Sequence, residues 1–360
     1  MKKIIPIFFA TNNNYAPYLS IALISMLENA SKNYFYKIHI LSASLSTENK
    51  LLLRKCVTQN SSIEFVSLKD KLTRFQSMFH TRDYYSKETY YRFFISNLYP
   101  EYDKVIYLDA DMVILGDVSE LYNLDMNNYL VAAVHEDVMD QPIFGDYSEK
   151  TLGVPREDYF NAGMLVINTD NFRKQRIEEK FIHLLNKFTF TVAQDQDYLN
   201  ILCQNQVKRL DMGWNKASCY EPKFNNDNLK IIHYKLNHKP WHYDNVEYEL
   251  YFWKYAKLCP FYPQILKTKE TYSEEEKKRD SIQSQKMTEQ AIRDSINPSN
   301  YWNYMSMGME RYALVRGIQR VYKVPINGTK KLSKYINASS KKLTKYIKNK
   351  ARSVYGSRKK

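Results

Sequence analysis

Glycine is scarce in this chain, which contains only nine glycines among 360 residues. Neither a GxGxxG nor a GxxxxGK(S/T) pattern occurs, so the two commonest glycine-rich phosphate cradles are absent. The four cysteines show no CxxC spacing, which favours the reduced thiols of a cytoplasmic protein over a disulfide framework. No apolar segment approaches the ~18 residues that a membrane-spanning helix needs.

The amino terminus imitates a secretory signal, because two lysines precede an apolar run. That run, residues 4–10, is short, contains Pro6 and leads directly into three asparagines. A first buried β-strand accounts for this pattern better than a signal peptide does.

The net charge of +14 is confined to one end of the chain. Residues 311–360 contain 16 of the 53 basic residues and no acidic residue, which leaves 37 basic against 39 acidic residues in the first 310. The main body is therefore close to neutral, and we expect no nucleic-acid partner for it.

The basic tail contains a repeat, KKLSKYI at 330–336 and KKLTKYI at 341–347. An offset of 11 residues is about three helical turns, so both copies share one helix face. A narrow apolar stripe surrounded by lysines is typical of a helix that lies on an anionic membrane surface. We therefore expect residues 311–360 to hold the protein at the inner face of the membrane. A solvated tail and an RNA-binding tail remain alternatives.

Strand-like and helix-like segments alternate from the start of the chain. This order predicts an α/β protein with a mostly parallel, doubly wound sheet covered by helices. The predicted strands are residues 4–9, 37–41, 62–66, 105–108, 129–134, 164–168 and 231–234. The predicted helices are residues 17–29, 47–57 with Ser46 as a cap, 89–98, a segment from Thr169 or Asp170 to 187, and 198–204.

Two aspartates follow the strand at 105–108. Asp109 and Asp111 are two residues apart, so in an extended backbone both carboxylates point to the same side. Apolar residues flank the pair, and two carboxylates in a mostly buried edge need a cation between them. A hard divalent ion with oxygen ligands meets that need. Ligands collect at the carboxyl ends of strands in doubly wound sheets, which favours a site over two solvated turn residues.

Six short segments in one order carry a resemblance to a known family. They are FATNNNY, YYRF, YLDADMV, YFNAGMLVIN, QDQDYLN and HYKLNHKPW, spread over residues 1–262. Together they resemble the retaining glycosyltransferases of family 8, which have the GT-A fold and use nucleotide-sugar donors. The resemblance implies a catalytic domain at 1–267. The change in composition after residue 267 indicates a polar linker or loose helical segment at 268–300 and an aromatic and basic amphipathic tail at 301–360.

The resemblance also implies roles for individual residues. Ala10, Thr11, Asn12, Asn14 and Tyr15 would line a uridine pocket. Asp109, Asp111 and His233 would hold Mn²⁺ or Mg²⁺ against the diphosphate of the donor, beside Ala110. The remaining donor contacts would be Arg92 at the phosphate or sugar, Asn161, Ala162 and Asp195 at sugar hydroxyls, Gln196 beside the anomeric carbon, and Lys239 at the leaving phosphate. Asp195 and Gln196 are the expected catalytic pair.

The implied activity is a hexosyl transfer that forms an α-linkage. The donor would be a UDP-sugar carrying galactose or glucose, and the acceptor a glycan or glycolipid of lipopolysaccharide or capsule synthesis. Residues 129–153, with Glu136 or Asp137, would contact the acceptor. Two departures stand out: Asn12 replaces the acidic residue that relatives place against uracil, and Leu236 replaces a glycine near the phosphates.

Two other functions fit part of the sequence. One is a non-catalytic, membrane-peripheral glycan-binding protein with a degenerate transferase fold. The other is a phosphatase of the haloacid dehalogenase type, with Asp109 as the nucleophile and Asp111 as the acid–base. That superfamily normally begins with this motif and later carries a second acidic pair, whereas here the motif lies far into the chain and no such pair follows.

Overall fold

The computed structural model of the protein describes residues 2–75, 77–81, 86–219 and 224–306. The basic repeats and the rest of the segment 311–360, expected to contact a membrane, lie outside the described residues. Within the described ranges, no helix is both long and apolar enough to cross a bilayer.

Ten strands are described, and they form two sheets. The strands are β1 (Lys3–Ala10), β2 (Tyr34–Ser42), β3 (Ser61–Ser67), β4 (Val105–Leu108), β5 (Met112–Ile114), β6 (Val131–Ala133), β7 (Met164–Ile167), β8 (Val207–Arg209), β9 (Lys216–Ala217) and β10 (Ile231–His233).

The α-helices cover both faces of the larger sheet, and the last three of them follow β10 at the carboxyl-terminal end of the described chain. They are α1 (Ala16–Asn29), α2 (Thr47–Arg54), α3 (Lys69–Leu72), α4 (Ile95–Leu98), α5 (Ser119–Tyr122), α6 (Pro142–Tyr147), α7 (Thr169–Lys174), α8 (Ile177–Leu185), α9 (Asp195–Cys203), α10 (Glu249–Ala256), α11 (Tyr262–Thr271) and α12 (Glu274–Ile296). Short 3₁₀ turns include Lys87–Phe94 and Asp137–Asp140.

The larger sheet has seven strands in the order β3-β2-β1-β4-β7-β6-β8. Strands β3, β2, β1 and β4 are parallel, whereas β7 runs antiparallel to both β4 and β6. The smaller sheet, β5-β10-β9, places β10 antiparallel to β5 and parallel to β9. The predicted α/β class with a mostly parallel, doubly wound sheet is confirmed.

Both faces of the central strands are buried, which explains why these strands read as continuous apolar runs. Along β1, Ile7 and Phe9 belong to the core on the face covered by α1, and Phe8 and Ala10 belong to the core on the opposite face. This alternation follows from the two-residue period of a strand. The Ser46 hydroxyl caps α2 by accepting the Asn49 N–H at 3.1 Å, as predicted.

Two helices differ from their predicted form. The segment expected as one helix to residue 187 is divided into α7 and α8, because Arg176 adopts a left-handed conformation with φ of 56°. The segment predicted as a helix at 89–98 begins as the 3₁₀ turn Lys87–Phe94 and becomes α-helical only in α4. In a 3₁₀ turn residues three apart are aligned, so Thr89 and Arg92 share one side.

Residues 1–302 form one compact unit. Within it, α12 begins with a capping box between Ser273 and Glu276, packs against α6 and buries Ala291 completely. A second unit comprises residues 303–360, and its described residues, 303–306, are helical.

Candidate active site

Four strand ends meet at one edge of the two sheets, and this explains how distant motifs converge. Strands β1 and β4 are parallel neighbours, so Thr11 and Asp109 leave the sheet at the same edge. Strand β7 is antiparallel to β4 and pairs Met164 with Leu108, so the residues just before β7 lie beside those just after β4. Strand β10 pairs His233 with Met112, next to Asp111.

A cleft opens at this edge. It is lined by twelve residues expected from the sequence: Ala10, Thr11, Tyr15, Arg92, Asp109, Ala110, Asp111, Asn161, Ala162, Asp195, Gln196 and His233. Seven further residues complete the lining: Ser86, Thr89, Glu136, Gly163, Ala193, Lys235 and Leu236.

Three expected site residues lie outside this lining. The Asn12 amide oxygen accepts the backbone N–H groups of Asn14 and Tyr15 at 3.0 and 3.2 Å, so it closes the turn that leads into α1. The Asn14 side chain is exposed. Lys239 is buried behind the cleft, where its ammonium donates to Asp111 Oδ2 at 2.6 Å and to the Tyr234 carbonyl at 2.5 Å.

Asp109, Asp111 and His233 offer three ligand atoms that lie within 4.8 Å of one another. His233 Nε2 is 3.3 Å from Asp111 Oδ1 and 3.9 Å from Asp109 Oδ2. Two carboxylates and one imidazole suit a hard or borderline divalent ion such as Mn²⁺ or Mg²⁺. The side chains present therefore fit the expected metal, and they converge on the cleft.

The pKa values of the two neighbouring aspartates shift in opposite directions. Burial raises the pKa of Asp109, and the adjacent Arg92 opposes this rise only in part. Burial also disfavours the Asp111 carboxylate, but Lys239 and His233 overcome that effect and hold its pKa well below the usual range. Asp111 is thus anionic without any bound ion, and a divalent ion would favour the ionised form of both carboxylates.

Arg92 bridges the aspartates on the two sides of the cleft. Its guanidinium is 3.1 Å from Asp109 Oδ1 through Nη2 and 3.1 Å from Asp195 Oδ2 through Nε. Nη1 donates to the Ala162 carbonyl, and the group lies 4.3 Å from the centre of the Tyr107 ring. A buried arginine needs such compensation, because an unpaired charge away from water is costly.

Gln196 is held in one orientation at the amino-terminal end of α9. Its Oε1 accepts the Ala162 N–H at 2.9 Å, and its Nε2 lies 3.4 Å from the Tyr159 hydroxyl. Tyr159 in turn donates to Asp197 Oδ1 at 2.7 Å. The preceding Gln194 has φ of 53°, an uncommon conformation for a residue with a side chain, of the kind that concentrates at functional sites.

An ion-pair cluster that the sequence alone did not predict borders the cleft. The Lys235 ammonium donates to Glu136 Oε1 and, at 2.6 Å, to Asp137 Oδ1. Burial disfavours the charged form of Lys235, but the two carboxylates raise its pKa above the ordinary value. Glu136 and Asp137 were expected at the acceptor, whereas Lys235 was not singled out; its position next to Tyr234 and His233 was the available signal.

Leu236, which the resemblance implies replaces a glycine, has a backbone φ of 62°. This left-handed conformation favours glycine because it has no Cβ. Leu236 keeps the glycine-like backbone and places its side chain at the cleft wall.

The family model described as Glycosyl transferase family 8 matches residues 6–245 of this chain. The chain belongs to glycosyl transferase family 8. The matched span contains the acidic pair, the segment before β7, the start of α9 and His233, so every residue that lines the cleft lies within it. The phosphatase interpretation of Asp109 and Asp111 has no comparable support.

Curated family 8 relatives are similar over the same part of the chain. A putative glycosyltransferase of Haemophilus influenzae is 30% identical over 245 residues, which cover 66% of this chain and 72% of that protein. The lipopolysaccharide 1,2-glucosyltransferase of Escherichia coli is 30% identical over 253 residues, which cover 64% of this chain and 71% of that protein.

Solved structures show the same fold. The apo structure of the bifunctional glycosyltransferase WbbM aligns with a TM-score of 0.65 and 26% identity over 74% of this chain, but over only 52% of its own. The galactosyltransferase LgtC, crystallised with donor and acceptor sugar analogues, aligns with a TM-score of 0.58 and 24% identity over 71% of this chain and 96% of its own. The family 8 protein therefore has the GT-A fold, a mixed α/β sheet with a helical carboxyl-terminal region.

Proposed function

We propose that the protein is a retaining hexosyltransferase. It transfers galactose or glucose from a UDP-sugar, with Mn²⁺, to a glycan or lipid-linked acceptor and forms an α-linkage in surface polysaccharide synthesis. The observation that carries the proposal is the convergence of Asp109, Asp111 and His233 in the same cleft as Asp195 and Gln196. The name of the Escherichia coli relative, a lipopolysaccharide glucosyltransferase, supports the substrate class.

The donor lies across the cleft in this proposal. Ala10, Thr11 and Tyr15 receive the uridine at the carboxyl end of β1, and the acidic pair receives the diphosphate. When bound, a divalent ion neutralises charge on the diphosphate as it leaves. Lys239 supports the same charge from behind Asp111, which it contacts at 2.6 Å.

Arg92 keeps the two sides of the donor site together. Because it pairs with both Asp109 and Asp195, it aligns the carboxylate at the diphosphate with the carboxylate beside the sugar. In this arrangement Asp195 accepts hydrogen bonds from sugar hydroxyls, and Asn161 lies in contact with them.

The proposed reaction proceeds on one face of the sugar. The bond from the anomeric carbon to the phosphate oxygen breaks, the acceptor oxygen bonds to that carbon from the same side, and the acceptor proton passes to a phosphate oxygen. Gln196 is a neutral amide and a poor nucleophile, and its Oε1 accepts the Ala162 N–H. In this proposal Gln196 lies beside the anomeric carbon and stabilises the positive charge that develops there, without forming a covalent intermediate.

A second, smaller cavity adjoins the cleft and is the proposed acceptor site. The two spaces share Glu136, Gln196 and Lys235, so an acceptor there would reach the donor. The outer wall is apolar and includes Phe144 of α6 and Met287 of α12. The ammonium of Lys235 is already paired with two carboxylates, so the site suits hydroxyl groups of a neutral sugar better than an anionic group.

The location proposed for the enzyme is the inner face of a membrane, where lipid-linked acceptors are found. Residues 311–360 carry 16 basic residues and no acidic residue, and this composition supports binding to anionic lipid.

The decisive experiment measures UDP released from UDP-galactose and UDP-glucose by the purified full-length protein. We expect release with one of the two donors, dependence on Mn²⁺ and loss with EDTA. Release that persists in EDTA would contradict the metal-dependent transfer. Binding of glycans without release from either donor would instead support the non-catalytic glycan-binding protein.

A further inference from the structure

A chain of four polar side chains connects the metal ligand His233 to the opposite wall of the cleft. His233 Nδ1 is 3.0 Å from Asn215 Oδ1, and Asn215 Nδ2 donates to Asn161 Oδ1 at 2.8 Å. Asn161 Nδ2 then donates to Glu136 Oε2 at 2.5 Å. All four residues are buried, with between 4% and 7% of their surface exposed.

The direction of every hydrogen bond in this chain is determined by one backbone group. The Gly163 N–H can only donate, and its acceptor at 2.9 Å is the same Asn161 Oδ1 that faces Asn215. That Asn161 atom is therefore the oxygen, and the Asn215 atom facing it must be the NH₂ group. The other end of the Asn161 amide is its NH₂ group, which matches the carboxylate acceptor of Glu136.

The orientation of Asn215 in turn determines the tautomer of His233. Since the Asn215 NH₂ group faces Asn161, the Asn215 oxygen faces His233 Nδ1, and that nitrogen must carry the proton. In the neutral imidazole Nε2 then presents a lone pair, and it is the nitrogen that lies 3.3 Å from Asp111 Oδ1 and 3.9 Å from Asp109 Oδ2. A histidine ligand needs its lone pair on the nitrogen that faces the metal.

We propose that Asn215 is a positioning residue that holds His233 as the Nδ1–H tautomer, with its Nε2 lone pair directed at the metal site between Asp109 and Asp111. The inference rests on the divalent ion of the proposed function, but the tautomer itself is a property of the metal-free protein. Asn161 and Glu136 anchor the far end of the chain and keep Asn215 from turning over.

The first test reads the tautomer directly. In the full-length protein labelled with ¹⁵N-histidine and free of metal, ¹H–¹⁵N correlation spectra recorded at a pH high enough to keep the imidazole neutral should show His233 with its proton on Nδ1 alone, assigned by comparison with a His233→Gln variant. Observation of the Nε2–H tautomer in the unsubstituted protein would overturn the proposal, whatever the protein does with UDP-sugars.

The second test compares three variants by Mn²⁺ titration, followed by electron paramagnetic resonance. Asn215→Leu removes the acceptor and should weaken Mn²⁺ binding by roughly 10- to 100-fold, the usual effect of losing a partner of a metal-ligating histidine. Asn215→Asp keeps an oxygen against Nδ1–H although it loses the bond to Asn161. It should therefore bind Mn²⁺ more tightly than Asn215→Leu does.

Asn29→Leu is the matched control. Its amide makes three hydrogen bonds, to Ser25, Ile114 and Tyr255, against two for the Asn215 amide, and none of these three partners is a site residue. It should lose stability and keep its Mn²⁺ affinity. Equal Mn²⁺ affinity in Asn215→Leu and the unsubstituted protein would refute the positioning role. If Asn215→Leu does not fold, the tautomer of His233 in the unsubstituted protein and the Mn²⁺ affinity of Asn215→Asp still test the positioning role of Asn215. Absence of Mn²⁺ binding in the unsubstituted protein would instead count against the metal in the proposed function.

Discussion

Gly163 lies directly against Asp109: its carbonyl accepts the Asp109 N–H at 2.7 Å, and a Cβ atom on Gly163 would lie 2.9 Å from Asp109 Oδ2. The same Cβ would overlap His233 Cε1. The backbone of the segment before β7 thus packs against two metal ligands at once, and only glycine leaves them room.

Substitution of Gly163 by alanine should therefore damage the metal site more than the fold. We expect Mn²⁺ affinity to fall by roughly tenfold or more, because displaced ligands lose their geometry. Calorimetric titration with Mn²⁺ measures this loss. Gly116→Ala is the control, since its Cβ would meet mainly the flexible side chain of Lys230, outside the cleft. Equal affinities in the two variants would show that the space beside Gly163 is unimportant.

Asp109 and Gln196 should differ in their importance for turnover. Asp109→Asn removes a charge that holds the cation, and we expect a loss of roughly 100-fold or more in kcat/KM. Gln196→Ala removes a neutral group that forms no covalent bond, so we expect about a tenfold loss. Steady-state release of UDP measures both. Losses of equal size would indicate that Gln196 takes a direct part in bond formation.

Leu236→Gly should improve donor binding. The backbone already has the left-handed conformation that glycine adopts without strain, and the change removes a side chain from the cleft wall. One additional backbone hydrogen bond to phosphate, at ~1 kcal/mol, would lower the Kd for UDP about fivefold. Calorimetry with UDP and Mn²⁺ tests this. Leu236→Ala retains a Cβ at φ of 62° and should gain less; an equal gain would assign the effect to side-chain bulk alone.

Asp197 should make stability depend on pH. Its carboxylate accepts the Tyr147 and Tyr159 hydroxyls at 2.8 and 2.7 Å, but burial outweighs these bonds and raises its pKa from 3.8 to about 6. The native state therefore holds this proton more tightly than the unfolded chain, and the contribution of Asp197 to stability falls as pH rises from about 4 to about 6.

An Asp197→Asn variant has an amide in place of the carboxyl group and does not titrate at this position. Between pH 4 and pH 7 the free energy of unfolding of the unsubstituted protein should fall by on the order of 3 kcal/mol more than that of the variant. Urea unfolding at a series of pH values measures the difference. Parallel pH profiles for the two proteins would show that Asp197 does not titrate in this range.

The basic tail should bind anionic membranes through its lysines. Each lysine near an anionic surface contributes about 1 kcal/mol, so the full-length protein should sediment with phosphatidylserine vesicles at low salt and be released at high salt. A full-length variant with glutamine at the six lysines of the two repeats (residues 330, 331, 334, 341, 342 and 345) should be released from the vesicles at a lower salt concentration than the unsubstituted protein. Failure of the unsubstituted protein to sediment at low salt would reject a membrane role for the tail.

Local pattern was sufficient for much of the fold. Strand β4 has the bounds predicted for it, and α1 and β2 extend their predicted segments by a few residues, because apolar runs and caps act over short distances. The division between α7 and α8 was not predictable, since the left-handed backbone at Arg176 has no glycine or proline to indicate it. In the smaller sheet only β10 was predicted, at residues 231–234, whereas the two- and three-residue strands β9 and β5 were not.

The sequence by itself determined the family, the α/β class and most of the residues that line the cleft, because these are carried by short motifs whose side chains act together. Tertiary structure alone decided how those motifs meet. The antiparallel pairing of β7 with β4 places Gly163 against Asp109, and the pairing of β10 with β5 brings His233 to Asp111. The chain of hydrogen bonds through Asn161 and Asn215 connects Glu136 with His233, which are about 100 positions apart in the sequence. No local sequence pattern predicts such a connection, because it depends on how the strands pair.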